Sequence, residues 1–314
     1  MKLQSVPLFC DELLPPGVHP HLVSEPATLV RVLTPSTAIN KPNYLIVPVE
    51  RLSEFVAYIE ILHDCASSAW TRPALFRGHA DAAWPLIPSL MRQYMLHEKA
   101  PDSTTVEALE DDLLTEFERR ALPWLGSPPQ GPSARWRWAA LAQHHNLPTR
   151  LLDWTYRPTT ALFFAVGFEP PSAYGGFSCV WAIQSPRNYR EVQLIHAAAE
   201  GRSRGFIPTE DWPAPQRDKN LPVCRYDPPH VSPRITVQQG CFTAHPSHYR
   251  RQYFDWIDGT RIIFVVHTED RSSLKLSLER LGINREVMFP GLDGIAAHLG
   301  EILPPKFWPL HDSP

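Results

Sequence analysis

From Val49 the apolar residues fall at intervals of three and four. Leu52, Phe55, Val56, Ile59 and Leu62 form one stripe, with Glu50, Arg51, Glu54 and Glu60 on the other face. This spacing predicts an amphipathic helix whose stripe faces a core. A second helix is predicted over 104–125, capped by Ser103 or Thr104. Val106, Leu109, Leu113, Leu114 and Phe117 form its apolar face, and Glu110, Asp111, Asp112, Arg119 and Arg120 its wet one. A third helix is expected over 136–145 with Trp138, Leu141 and Ala142 inward, stopped by Asn146 ahead of Pro148. Pro158 suits the first turn of a fourth, 158–168, whose Ala, Leu and Phe content predicts burial. Between these lie a short strand at 74–77 ending in Arg77-Gly78, a turn-rich loop at 127–133, and an extended piece at 149–154.

Beyond Gly175 the pattern turns to β. Strands are predicted at 177–183 and 261–267, and residues 234–243 are read as containing a strand and a glycine. Helices are expected at 189–199, at 274–281 with Gly282 just past its end, and at 293–303. The chain holds 34 prolines, which shorten its helices and preset many loop angles. They crowd residues 1–45, read as an extended arm with one short strand at 28–33. The fold class expected is α+β, a helical N-terminal half packed on a mixed or antiparallel sheet formed mainly by the C-terminal half. It is read as one domain over 46–304 with a loop-rich insertion at 185–232, followed by a tail at 305–314.

The 314 residues, 43% of them hydrophobic, can bury a sizeable core. A net charge of −3 gives no global field toward nucleic acid or acidic lipid, although a local basic groove stays compatible with it. The five cysteines are scattered and odd in number, which suggests neither a zinc site nor a disulfide framework. Reduced thiols in the cytoplasm are the expectation. The N-terminus has no continuous apolar core of a signal peptide, and no apolar run is long enough to span a membrane.

Chemistry concentrates in LAQHHNLPTRLLDWTYRPTTALFFAV, residues 141–166. An amide, two histidines, an arginine, an aspartate and several threonines sit there among apolar residues. Asp153 lies between Leu152 and Trp154, and a carboxylate buried there needs donors. Arg150 and Thr155 are the nearest in sequence, and Arg77 is a distant partner. Facing an arginine, such a carboxylate is ionised and structural; in a pocket without a cation it becomes an acid or base. Arg77, at a strand end, can grip an anion with its planar fork or pair internally with Asp153. His79 beside it reads as a satisfied polar residue or a catalyst. His144-His145 point about 100° apart on a helix and would chelate one metal poorly, so no metal is expected. Motifs of P-loop hydrolases, Rossmann dehydrogenases, zincins and serine hydrolases are absent from the sequence.

Two blocks of the chain resemble the FRG domain family, a bacterial family named for a Phe-Arg-Gly triplet. The first is Phe76-Arg77-Gly78 with Trp84 and Pro88-Ser89-Leu90. The second is Gln143-His144, Pro148-Thr149-Arg150, Leu151-Leu152-Asp153-Trp154 and Ala161-Leu162-Phe163-Phe164-Ala165. The likeness covers about residues 70–170 and continues more weakly through 233–242 and 288–295. Trp84, Pro88, Leu90, Leu151, Leu152, Trp154 and Phe163 are expected in the core. In layout the chain also resembles the split-sheet ADP-ribosyltransferases, whose first-strand arginine holds the nucleotide. That likeness sets Arg77 in the arginine's place and Thr155, with the helix after it, in the place of the Ser/Thr-rich strand. A late glutamate should follow, but Gln238-Gln239-Gly240 has no acid and Glu286 is the one acid near a later matched segment.

The resulting expectation is a cytoplasmic protein binding a small nucleotide-like ligand, NAD being the implied cofactor of an ADP-ribosyltransferase-like toxin or defence effector. Arg77, His79, Asp153 and Glu286 would carry catalysis. Gly78, Gln143, His144, Arg150, Thr155 and Gln239 would bind the ligand. A toxin of this kind implies a neutralising protein partner; a nucleic-acid partner stays open and a membrane is not expected. Two alternatives belong to other classes: a non-catalytic ligand- or partner-sensing module, and a nuclease-like toxin with His79 or His144 as base.

Overall fold

The computed structural model describes residues 21–22, 44–69, 73–95, 103–131, 134–169, 176–186, 223–229, 232–245 and 261–302. The helix expected at 189–199 and the strand at 28–33 lie outside them. The first-half elements are strands β1 (His21–Leu22), β2 (Tyr44–Pro48), β3 (Ala74–His79) and β4 (Leu151–Thr155) and helices α1 (Leu52–Ala69), α2 (Ser89–Met95), α3 (Ser103–Ala121), α4 (Ala134–His144) and α5 (Pro158–Val166). The rest are β5 (Phe177–Gln184), β6 (Cys224–Tyr226), α6 (Pro233–Gln238), β7 (Gly240–Ala244), β8 (Arg261–His267), α7 (Thr268–Arg280), α8 (Arg285–Met288) and α9 (Leu292–Ile302). The fold is α+β. Helices and strands are interleaved along the chain, which corrects the expected division into a helical half and a sheet half.

The strands form one mixed sheet in the order β1-β2-β8-β5-β3-β4-β7-β6, seven strands and the two-residue edge β1. β1, β2 and β8 run parallel, and every other pairing is antiparallel. β5 and β8 lie at the centre and are buried along nearly their whole length, as their unbroken apolar runs require. Side chains alternate across the sheet. Val180, Ala182, Ile262, Phe264 and Val266 face a core shared with α1, α5 and α7, whereas Cys179, Trp181, Ile263 and Val265 face a second core with Leu75, Leu152 and Trp154. A third cluster joins α3 and α4 to the outer strands through Leu114, Trp136, Leu151 and Phe242.

Two local expectations are overturned, and one is narrowed: the strand with a glycine within 234–243 is Gly240–Ala244, while 233–238 are helical, because Ser232 caps Ile235 N–H, Pro233 opens the first turn and Gln239 closes it at φ 45°. Val56 is off the buried stripe of α1, and Tyr58 takes its place in the core. Glu110 sits on the inner rather than the wet face of α3. The strand Tyr44–Pro48 and the three-residue Cys224–Tyr226 were not expected, each being too short for a pattern of its own. Asn146, at φ 62°, ends α4 in the left-handed turn that asparagine tolerates.

β3 and β4 are joined by one residue pair, Phe76 opposite Thr155, while β3 pairs with β5 along its whole length and β4 pairs with β7 along its whole length. The sheet therefore parts just beyond Phe76. Helix α5 crosses β3 at this place. A Cβ on Gly78 would collide with the Ala161 carbonyl and lie 2.7 Å from the Ala165 nitrogen. The glycine of the Arg-Gly pair thus admits a helix backbone to the strand. Gly78→Ala is expected to lower the unfolding free energy by about 3 kcal/mol. Gly126→Ala, at a position with open space around it, should change it by less than about 0.5 kcal/mol. Urea denaturation of both variants checks the difference.

Candidate functional site

A cleft of about 580 Å³ lies where β3 and β4 part. β3 and β4 supply its floor through Arg77, Gly78, Asp153 and Thr155, and α4 adds Gln143 and His144. Arg92 comes from α2, Arg234 and Gln238 from α6, and Thr160, Phe164 and Phe168 from α5 and its end. Trp84 stands in the wall at 37% exposure, so it is a lining residue and not the core residue expected of it.

Arg77 is fixed from two sides. Its Nε–H donates to His79 Nε2 at 3.0 Å, and Nη1 donates to the Asp153 backbone carbonyl at 2.6 Å. Nη1 also lies 3.8 Å from Asp153 Oδ2, a loose ion pair. The two side chains of β3 meet because they are two residues apart on one strand face. His79 is buried, and its Nε2 can accept only if the ring proton sits on Nδ1. Burial first, and then the charges of Arg77 and Arg92, hold its pKa well below the usual histidine value, so the ring is neutral. His79 is absent from the cleft lining, and its acceptor lone pair is used to hold Arg77.

Asp153 is oriented by a relay. Thr149 Oγ1 donates to Gln143 Oε1 at 2.7 Å, and Gln143 Nε2 donates to Asp153 Oδ2 at 2.7 Å. The same Thr149 hydroxyl accepts from Leu151 N–H at 3.1 Å. The backbone of Thr149 pairs with α2, since Leu90 N–H donates to its carbonyl and its own N–H donates to Ser89 Oγ. The Pro-Ser-Leu run of one block thus anchors the Pro-Thr-Arg run of the other.

Two further arginines surround the carboxylate. Burial lowers the pKa of both Arg92 and Arg234, and in each case the charge of Asp153 opposes the shift. Among the described residues no carboxylate lies within ion-pair distance of either. Arg234 rests over the Phe289 ring at 4.6 Å. His144 is pushed down to about 4 by burial, then by Arg234 and His145. At neutral pH the described lining therefore carries three guanidinium groups, one carboxylate and a neutral imidazole. Such a concave cationic surface holds anions.

The expected site residues divide. Arg77, Gly78, Gln143, His144, Asp153 and Thr155 line the cleft. Thr155 does so with its hydroxyl engaged, donating to Gln238 O at 2.5 Å and accepting from Arg157 N–H at 2.9 Å. Arg150 points away and is buried against Glu110 at 2.6 Å, while Glu110 Oε1 also accepts Arg150 N–H. Burial drives the Glu110 pKa up and Arg150 pulls it back. Arg150 is therefore a structural ion-pair partner of α3, and its expected ligand-binding role is corrected. Glu286 is exposed in the first turn of α8, outside the cleft lining. Gln239 is exposed as the left-handed cap of α6, and its neighbour Gln238 lines the cleft instead, bonded to Met288 O at 2.8 Å.

Sequence reasoning passed over Arg92 and Arg234. Arg92 lies two residues past the Pro88-Ser89-Leu90 run, and Arg234 follows Pro233 within the weaker likeness over 233–242. Their signal was an arginine in or next to a block that already held Arg77 and Asp153. Among the described residues no three His, Cys, Asp or Glu side chains gather to hold a metal ion, and no helix is long and apolar enough to cross a membrane.

An α+β domain with an arginine-lined cleft at a parted sheet is the class this geometry defines. Residues 72–172 match the family model of the FRG domain, and the chain carries an FRG domain over that span. The matched span includes β3, α2 to α5 and β4, and with them Arg77, Arg92, Gln143 and Asp153; Arg234 lies beyond it. No curated protein and no solved structure matches the chain.

A pH signature follows from the histidines. Unfolded, His144 and His245 titrate near 6.5; folded, burial puts them at about 4 and about 3. Between about 4 and 6.5 the unfolded chain binds more protons, so stability rises with pH across that window and levels off above it. His144→Asn should reduce the slope of the urea midpoint over this range, and equal slopes in variant and wild type would contradict it.

Proposed function

We propose that the cleft binds a nucleotide-like ligand. Its phosphates lie between Arg92, Arg234 and the Nη2 of Arg77, which makes no hydrogen bond among the described residues. The observation that carries this reading is the charge balance of the lining, three arginines against a single carboxylate among the described residues. A phosphate group supplies the missing negative charge and matches the guanidinium fork. The aromatic walls, Trp84 on one element and Phe164 and Phe168 on another, suit the face of a base. The parted sheet and the strand-borne arginine agree with the layout of nucleotide-binding split sheets, an argument at the level of fold.

The enzymatic form of this reading is an ADP-ribosyltransferase-like toxin or defence effector using NAD. Asp153 favours it, because its side chain is 55% exposed on the cleft floor, where it could face the positive charge that builds on a ribose as nicotinamide leaves. A sensing module would use the same binding groups without that step. The histidines give the nuclease reading no support: His79 has its acceptor nitrogen occupied, and His144 at about 4 is a weak base.

ADP and NAD should raise the melting temperature of the protein, and adenosine should not. Arg92→Ala with Arg234→Ala should weaken ADP binding by at least about tenfold, as expected for lost charge-assisted hydrogen bonds, and should flatten its salt dependence. Equal stabilisation by adenosine and ADP would contradict the phosphate assignment. Nicotinamide release from NAD that is lost in Arg77→Ala, with circular dichroism unchanged, distinguishes the enzyme from the sensor.

A further inference from the structure

The carboxylate in the middle of this cationic cleft needs a reason. Asp153 opposes the binding of any anion, because it cancels part of the field of the arginines that surround it. It is not there to neutralise Arg77. That guanidinium makes its close contact with the Asp153 carbonyl, at 2.6 Å, and stands 3.8 Å from the carboxylate. Nor is it a buried structural acid like Glu110, since more than half of its side chain is open. Yet it is held in place. β4 pairs with β7 from Leu151 to Thr155, and the Thr149–Gln143 relay grips one oxygen, Oδ2. The other oxygen, Oδ1, accepts no hydrogen bond among the described residues. A carboxylate with one oxygen pinned and the other open is a preorganised acceptor for a hydroxyl donor.

We infer that Asp153 reads the sugar of the ligand: Oδ1 accepts hydrogen bonds from the free vicinal hydroxyls of a ribose, so the cleft selects ribonucleotide diphosphates over ligands that carry phosphates alone. This rests on the reading that the cleft holds a nucleotide-like anion. A carboxylate that binds ribose hydroxyls beside a diphosphate site is a general solution, because vicinal hydroxyls next to the phosphates offer it two donors at once. The arginines attract the ligand by its charge. Asp153 makes pyrophosphate or a deoxygenated sugar a poor occupant, since neither compensates the carboxylate. Gln143 acts through Asp153 as a positioning residue, holding the oxygen that the sugar does not use.

Isothermal titration calorimetry with ADP, 2′,3′-dideoxy-ADP and pyrophosphate tests this on the whole chain. The wild type should bind ADP at least about tenfold more tightly than the dideoxy compound, the loss expected for a hydrogen bond to a charged group. In Asp153→Asn that preference should fall below about threefold, and pyrophosphate should bind more tightly than it does to the wild type. Equal wild-type affinities for ADP and dideoxy-ADP would overturn the inference and leave the phosphate reading standing. Failure of all three to bind would overturn that reading, and the inference with it. The wild-type comparison needs no variant, so it decides the matter even where Asp153→Asn does not fold.

Discussion

One hydrogen bond, from Arg77 Nη1 to the carbonyl of Asp153, closes the place where the sheet opens. β3 and β4 pair at Phe76 and Thr155 and then diverge, so the Asp153 carbonyl has no strand partner on the β3 side. A strand carbonyl left without its ladder donor needs another partner. A guanidinium is long enough to span the gap and carries donors to spare for a ligand. The same side chain therefore supports the parted sheet and arms the cleft that the parting creates. Gly78 completes this arrangement, because only a residue without Cβ lets α5 close over β3 behind the arginine.

Much of this was legible in the chain. The helical stripes over 52–62 and 104–117 and the apolar runs at 177–183 and 261–267 gave elements of the right kind, because burial on one face or two imprints a period. The pairing of Arg77 with the Asp153 segment was readable too, since a carboxylate between Leu152 and Trp154 needed a distant donor. What failed has a physical cause in each case. Glu110 looked solvated because its neighbours are charged, and nothing local says that Arg150, some forty residues on, turns inward to meet it. The helix at 233–238 has three β-compatible residues, and its cap and left-handed stop outweigh them. Arg92 and Arg234 join the cleft only through tertiary packing, which no spacing rule encodes.

The two arginines within the FRG span and the one outside it converge on a single carboxylate, so the anion site depends on α6 docking against the FRG span. Tyr156 N–H donates to Gln239 O and Thr155 Oγ1 to Gln238 O, which tie that helix to the end of β4. A ligand that bridges Arg77 and Arg234 would thus strengthen the contact between the FRG segment and the chain that follows. Asp153 sits at the centre of the charge pattern, and its relay through Gln143 to Thr149 reaches back to α2, so one network joins the first signature block to the second.

Nitrogen-15 NMR of the His79 ring tests the Arg77 clasp most directly. If Arg77 is held as described, His79 keeps its proton on Nδ1, shows an unprotonated Nε2 in contact with the Arg77 Nε–H, and does not titrate between about pH 5 and pH 8. A ring protonated on Nε2, or one that becomes an imidazolium within that range, would mean that Arg77 is not anchored by this pair, and the account of the cleft would fail with it.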